Sequence, residues 1–416
     1  MPRVRFLFII LFLFCGDVWA GISQQAYVWQ RAWSDSLREM VVQSADKLDG
    51  VTVLFAEVHP SQVNGVYRAD VDFDRLKASG LPVTLALRLN LDTGYDVERS
   101  FQSGFLGWVE HAIETARSHG VEPVALEIDF DCPTSQLESY RLQLNKVRQL
   151  CGDVPLSVTT LPTWMNRPNA FRDLVKVVDH FVLQVHSMKR PNGYDDDVSL
   201  CDPDDAIYWI DQAASFAVPF HVALPTYAYR IAFDAADALV EVAGENGSLF
   251  QNPDWRYRVV RSNPEAMASL VRCLRNERPE SCQGIIWYRM PIGDEPRNWD
   301  VHTWHAVMAG VADRSDWKIY AVPQAAGAIE LQIESTSAVE QAPPFQVTVR
   351  WAGAQALAWD GQRNYVVKST LDHGLMWQWP EQMTPPQLSQ GTRWTIGWLR
   401  LDEMVELQLS QLQDAE

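Results

Sequence analysis

The segment Val124-Ala125-Leu126-Glu127-Ile128-Asp129-Phe130-Asp131 carries the densest chemistry in the chain. Acidic and apolar residues alternate along it, and alternation is the period of a β-strand. Leu126, Ile128 and Phe130 therefore share one face; Glu127, Asp129 and Asp131 share the other. Three carboxylates on one partly desolvated face cannot all ionise cheaply, so at least one must keep its proton above the ordinary carboxylate range. A carboxylic acid still protonated near neutral pH is what a general acid needs. Asp131, the outermost, is expected to donate the proton, with Asp129 and Glu127 tuning it. A salt-bridge network with Arg88 as its cation is the competing explanation of the same run.

Such a ladder needs elements to hold it. Strand-like runs fall at 26–30, 51–58, 83–90, 124–131, 156–161, 180–186, 220–225 and 284–290. Helix-like runs follow at 34–47, 73–78, 97–118, 135–150, 169–177, 203–216 and 301–309. Strands alternating with helices imply parallel βαβ units, and eight units in this length predict a (β/α)8 TIM barrel. Its apolar strand faces would meet the helices, and the carboxylates would climb the lumen. Between strands seven and eight, a helical pattern at 235–242, a Gly/Asn-rich loop at 244–253 and a helix from Pro264 suggest an insertion at the barrel mouth. After about residue 315 only short strand candidates remain, at 329–335, 345–351, 356–359, 365–367, 377–379 and 394–398. They predict a small C-terminal β-sandwich domain. The expected division is 1–20 signal peptide, 21–314 barrel and 315–416 sandwich.

Barrel active sites form at the C-terminal strand ends, so other groups there complete the candidate set. Glu57 ends strand two, with His59 beyond it, and is the expected second carboxylate. Arg88 and Asn90 share a face on strand three, as do Gln184 and His186 on strand six. Trp29 ends strand one, Tyr227 follows strand seven, and Trp287, Tyr288 and Arg289 close strand eight. Arg88, Gln184, His186 and Tyr227 would orient hydroxyls; Trp29 and Trp287 would stack on sugar faces.

Composition bounds the partners. The 416 residues carry a formal net charge of −18, which argues against nucleic acid. Seventeen tryptophans supply flat apolar rings that suit both cores and sugars. Arg3 and Arg5, an apolar run at 6–14 and Val18-Trp19-Ala20 read as a secretory signal cleaved after Ala20. This predicts an exported, periplasmic or extracellular protein, monomeric and without a membrane span. Phe14 before Cys15 disfavours a lipid anchor. Five further cysteines leave one thiol over; Cys132 with Cys201 and Cys273 with Cys282 are the expected disulfides, Cys151 staying free. No Cys/His zinc spacing occurs, and no GxGxxG follows the first strand, so no cofactor is expected. Acidic runs at 195–197 and 202–205 lack the glycine and glutamate of a calcium loop, and Asp202 reads as a helix cap.

Two resemblances add to this. Glu127-Ile128-Asp129-Phe130-Asp131 resembles the acidic strand-four motif of family-18 chitinases, which ends in a glutamate acting as general acid on a (β/α)8 barrel. Asp131 stands in place of that Glu, and Glu127 in place of an Asp. Gln184-Val185-His186 replaces the family's Met-Tyr-Asp, and Trp287 matches its strand-eight tryptophan. More of the chain, most of 26–310, resembles a bacterial family of exported proteins of unknown function with a glycoside-hydrolase-like barrel. The matching phrases are Tyr27-Val28-Trp29-Gln30-Arg31, Phe55-Ala56-Glu57-Val58, Ile128-Asp129-Phe130-Asp131-Cys132-Pro133, Leu224-Pro225-Thr226-Tyr227 and Ile286-Trp287-Tyr288-Arg289. The expectation is a glycoside hydrolase or other polysaccharide-processing enzyme. The alternatives are a non-catalytic barrel that binds glycan or protein, and a metal-dependent hydrolase using Asp129, Asp131 and His186 as ligands.

Overall fold

The computed structural model describes residues 21–62, 65–90, 96–186, 188–244, 252–293, 295, 297–314, 317–370 and 374–412. The expected signal segment with Cys15, and residue 315 at the expected domain boundary, lie outside this set.

Eight parallel strands close on themselves: β1 (Ser23–Val28), β2 (Gly50–Val58), β3 (Val83–Leu89), β4 (Ala125–Asp129), β5 (Leu156–Thr160), β6 (His180–Gln184), β7 (Phe220–Pro225) and β8 (Cys282–Tyr288). Each pairs with the next, and β1 pairs with both β2 and β8, so the sheet is a barrel as the alternation predicted. Closure between β1 and β8 depends on Gly284. A Cβ there would come within 2.5 Å of the Ser23 carbonyl oxygen.

Helices fill the crossovers, and their starts follow capping chemistry. Ser34, Asp72, Asp96, Asp202, Asn263 and Asp300 each accept hydrogen bonds from the first-turn amides of the helix they precede. The single long helix expected at 97–118 is interrupted at Gly104, which has φ +99°. Outward strand residues, among them Leu126, Ile128 and Phe130, join the helices in one large apolar core. Inside the lumen a smaller cluster of Tyr27, Trp29, Leu54, Ala86, Val182, Ala223 and Ile286 fills the barrel.

The β7–β8 insertion departs from expectation. Residues 235–242 form no helix. A turn, with Asp237 at φ +65°, leads into strand Leu239–Ala243, which pairs antiparallel with Ala228–Phe233; Arg256–Arg261 pairs on the other side. Cross-strand pairing overrode a short and ambiguous helical period. The helix from Pro264 is present.

Beyond the barrel, two four-stranded antiparallel sheets face each other. One contains Lys318–Pro323, Ala328–Glu334, Arg393–Leu401 and Ala356–Gly361; the other Val366–Thr370, Gly374–Gln378, Gln346–Arg350 and Gln408–Leu412. Both contribute to one core containing Leu331, Ile396, Val347 and Trp377, a β-sandwich as predicted. The first and last strands of this region carried no clear sequence signal. Gly397 lets the sheets approach, since a Cβ there would sit 2.1 Å from Trp377 Nε1.

The expected disulfides are absent. Cys132, Cys151, Cys201, Cys273 and Cys282 are free thiols, four of them buried. The buried four, Cys132, Cys151, Cys201 and Cys282, pack as small hydrophobes in the core. Sequence spacing carries no information on the Cα separation that a bridge requires. Among the described residues no helix is long and apolar enough to cross a membrane.

Candidate functional site

Strand alternation puts the three acids of β4 in the lumen at three depths. Glu127, the deepest, is 1% exposed. It accepts a 2.7 Å hydrogen bond from Tyr27 Oη on β1 and a 3.3 Å bond from Ser157 Oγ on β5. Burial pushes its carboxyl up to about 8; the Tyr27 bond opposes this, and the neighbouring Asp129 charge adds to it. Tyr27 responds in kind, its phenol driven well above its ordinary range by burial and by Glu127.

Asp129 lies one step higher. Thr159 Oγ1 donates to it at 2.8 Å, and Arg88 Nη1 stands 3.2 Å away. Asp131 lies past the strand end, with its side chain 60% exposed and 3.9 Å from Arg88 Nη2. Its carboxyl is raised by desolvation and by Asp129, against the pull of Arg88. Arg88 holds its own proton more tightly, chiefly because of Asp129. The cation proposed from sequence is therefore in place. It serves the upper two acids and leaves Glu127 to hydrogen bonds.

Above Asp129 lies a cavity of about 210 Å³. Asp129, Asp131, Arg88, Trp29, Gln184, His186 and Tyr227, all expected from sequence, line it together. His186 stacks on Tyr288 with 5.5 Å between ring centroids, and its Nδ1 is 3.2 Å from Tyr227 Oη. Burial lowers His186 to about 4, so it is a neutral imidazole near neutral pH. Trp29 meets Tyr27 and Tyr288 edge-on.

Glu57 and Arg289 line an adjoining cavity of about 370 Å³. Arg31 holds both Glu57 oxygens, at 2.9 and 2.6 Å, which leaves Glu57 poorly placed to act as a base. Arg289 pairs with Glu295 at 2.5 Å. Glu127 does not line the central cavity; it lies beneath the floor.

Trp287 is a correction. It is 0% exposed and belongs to the outer core beside Trp299, with its indole N–H donating to Gln24 at 2.7 Å. No sugar face can reach it. On β8 the lumen side falls to Ile286 and Tyr288, so Trp287 faces the helices. Tyr288, read from sequence at the end of strand eight, is the ring of that strand that lines the cavity; Tyr27, Thr159 and Tyr229 line it too and were missed. Tyr27 shares a strand face with Trp29, so alternation on β1 contained that signal. Among the described residues no group of three or more His, Cys, Asp or Glu could hold a metal ion, so Asp129, Asp131 and His186 do not assemble as ligands.

Fold and site together define a (β/α)8 barrel with an acidic ladder rising beneath an aromatic mouth. The chain belongs to the family described as "Domain of unknown function (DUF3142)", which matches residues 81–293, slightly more than half of the chain. No curated protein matches it. Among solved structures it is similar to the Bacillus cereus spore cortex-lytic enzyme SleL, at 12% identity and TM-score 0.48, covering 70% of this chain and 74% of that one. It is also similar to a chitinase from Chromobacterium violaceum, at 15% identity and TM-score 0.47, covering 70% and 100%. Chitinase ChiA74 from Bacillus thuringiensis matches at 9% identity and TM-score 0.45, covering 94% and 100%.

Proposed function

We propose that the protein hydrolyses glycosidic bonds in a polysaccharide, with Asp131 as the acid. The observation that carries this reading is the carboxylate ladder opening into an aromatic-walled cavity, with Asp131 raised in pKa at its top. Asp131 donates its proton to the glycosidic oxygen as the bond from the anomeric carbon to that oxygen breaks. Asp129, ordered by Thr159 and Arg88, faces the positive charge that develops on the sugar. Water then adds to the anomeric carbon and returns a proton to Asp131. Glu127 keeps a neutral floor below pH 8, which limits repulsion against Asp129. Gln184, neutral His186 and the Tyr227 hydroxyl offer partners for sugar hydroxyls, while Trp29 and Tyr288 offer ring faces and edges. The proposal includes export, supported by the pattern of the first twenty residues, and a monomeric state.

Asp131→Asn tests it on a panel of glycol chitin, carboxymethyl-cellulose, xylan and pullulan, read as new reducing ends. Wild type releases product from at least one, and the variant loses on the order of 100-fold or more. Unchanged turnover rejects Asp131 as the acid. A glycan-binding barrel without chemistry is the second reading, favoured by Arg88, whose cation stands 3.2 Å from Asp129 and 3.9 Å from Asp131. In that case wild type binds a panel member and releases nothing.

A further inference from the structure

We infer that the mouth holds its glycan as a chain running across the barrel, so that the carboxylates meet an internal linkage rather than a chain end. This rests on the hydrolase reading above and adds the form of the substrate.

Three cavities lie in order along the mouth. The central one, about 210 Å³, contains Asp129 and Asp131. On one side it shares Trp29, Arg88, Tyr227, Tyr229 and Tyr288 with the cavity of about 370 Å³, which is lined from the ends of β1 to β3 and from β8 and the segment after β7. On the other it shares Gln184 and His186 with a cavity of about 490 Å³ above β5 and β6. The two flanks have no lining residue in common, so the centre lies between them. Each flank has the size of a small-ligand site, and the centre is the smallest of the three by volume. A site that removes terminal units needs a wall beside its acid. Among the described residues, room continues on both sides of the acids.

The flanks also differ in chemistry, which gives a bound chain a direction. Arg31, His59 and Asn90 make the first flank polar. Leu161, Pro162 and half-buried Trp209 make the second more apolar, beside an ion pair of Lys189 with Asp205. One flank suits hydroxyl-rich edges, and the other suits the apolar face of a ring.

The test uses the full-length protein and whichever polysaccharide of the panel it cleaves. Early products are sized by mass spectrometry while viscosity is followed. Mixed product lengths and a steep viscosity drop per reducing end are expected. A second arm fills the apolar flank with Thr163→Trp, at an exposed position away from the acids. Its kcat/KM on polymer should fall roughly tenfold, about 1.4 kcal/mol, with less than about a twofold change on the shortest oligosaccharide still cleaved. Thermal melting checks that the variant folds. One product length released from the first time point, or a Thr163→Trp enzyme with unchanged polymer kinetics, overturns the inference and leaves the hydrolase reading standing. No product from any polymer overturns that reading itself.

Discussion

At the scale of the residue, the ladder's behaviour is set by who partners each acid. The lowest, Glu127, has two hydroxyl donors and no cation, and its pKa rises to about 8. Asp131, with Arg88 at 3.9 Å, is raised by desolvation and by Asp129 while the cation opposes both. The proposed hydrolysis requires Asp131 protonated, so kcat/KM should decline as pH increases through its raised pKa. A pH–rate profile that is flat from pH 5 to 8 contradicts the assignment. Glu127 has a stability consequence of definite sign. Its folded pKa lies above its ordinary value of 4.5, so the folded chain keeps a proton that the unfolded chain releases. That stabilisation is complete below pH 4.5 and is lost as pH rises through about 8, a change on the order of 3–5 kcal/mol. Glu127→Gln should flatten this slope and melt higher than wild type at pH 9. Calorimetry across pH 5–9 measures it, and parallel curves for the two proteins would exclude a neutral Glu127.

At the scale of the element, alternation did most of the positioning, and its one ambiguity produced the main error. On β4 the polar and apolar faces are unmistakable, and the lumen side follows. On β8, Ile286, Trp287 and Tyr288 are all apolar or aromatic, so composition cannot say which face is which. Only pairing with β1 and β7 decides, and it turns Trp287 outwards. Trp287→Ala is therefore expected to cost about 3–5 kcal/mol of stability, as an emptied core site does, with oligosaccharide affinity little changed in the folded fraction. Tyr288→Ala should do the reverse, weakening binding more than folding. Calorimetric titration beside denaturant melts separates the two. Gly284→Ala sets a Cβ against the Ser23 carbonyl where the barrel closes, and a loss of about 1–3 kcal/mol in urea unfolding is expected. A neutral effect would mean that the β1–β8 seam can shift.

At the scale of the whole molecule, the sandwich is coupled to the barrel through Glu340. Its backbone N–H donates to Thr303 at 2.8 Å, and its carboxylate lies 3.6 Å from Arg261 of the insertion and accepts from the Asp300 amide at 3.4 Å. Burial raises Glu340 to about 7, with Asp300 adding repulsion and Arg261 opposing. The sign matches Glu127: stabilisation is present below pH 4.5 and fades as pH rises through about 7. Glu340→Gln should remove that step from a plot of melting temperature against pH between about 4.5 and 7. If the step persists, another group produces it.

The sequence alone determined the barrel, the sandwich and the inward acids, because these depend on period and composition, which are local properties of the chain. Asp129, Asp131, Arg88, Gln184, His186 and Tyr227 were legible for the same reason: strand ends of a barrel converge. Tertiary structure decided the rest. The side of β8 that faces the lumen, the Arg31 clamp on Glu57, the unpaired cysteines and the pairing of residues 239–243 as a strand all depend on neighbours distant in sequence. Their distances are set by packing, and no local pattern encodes them.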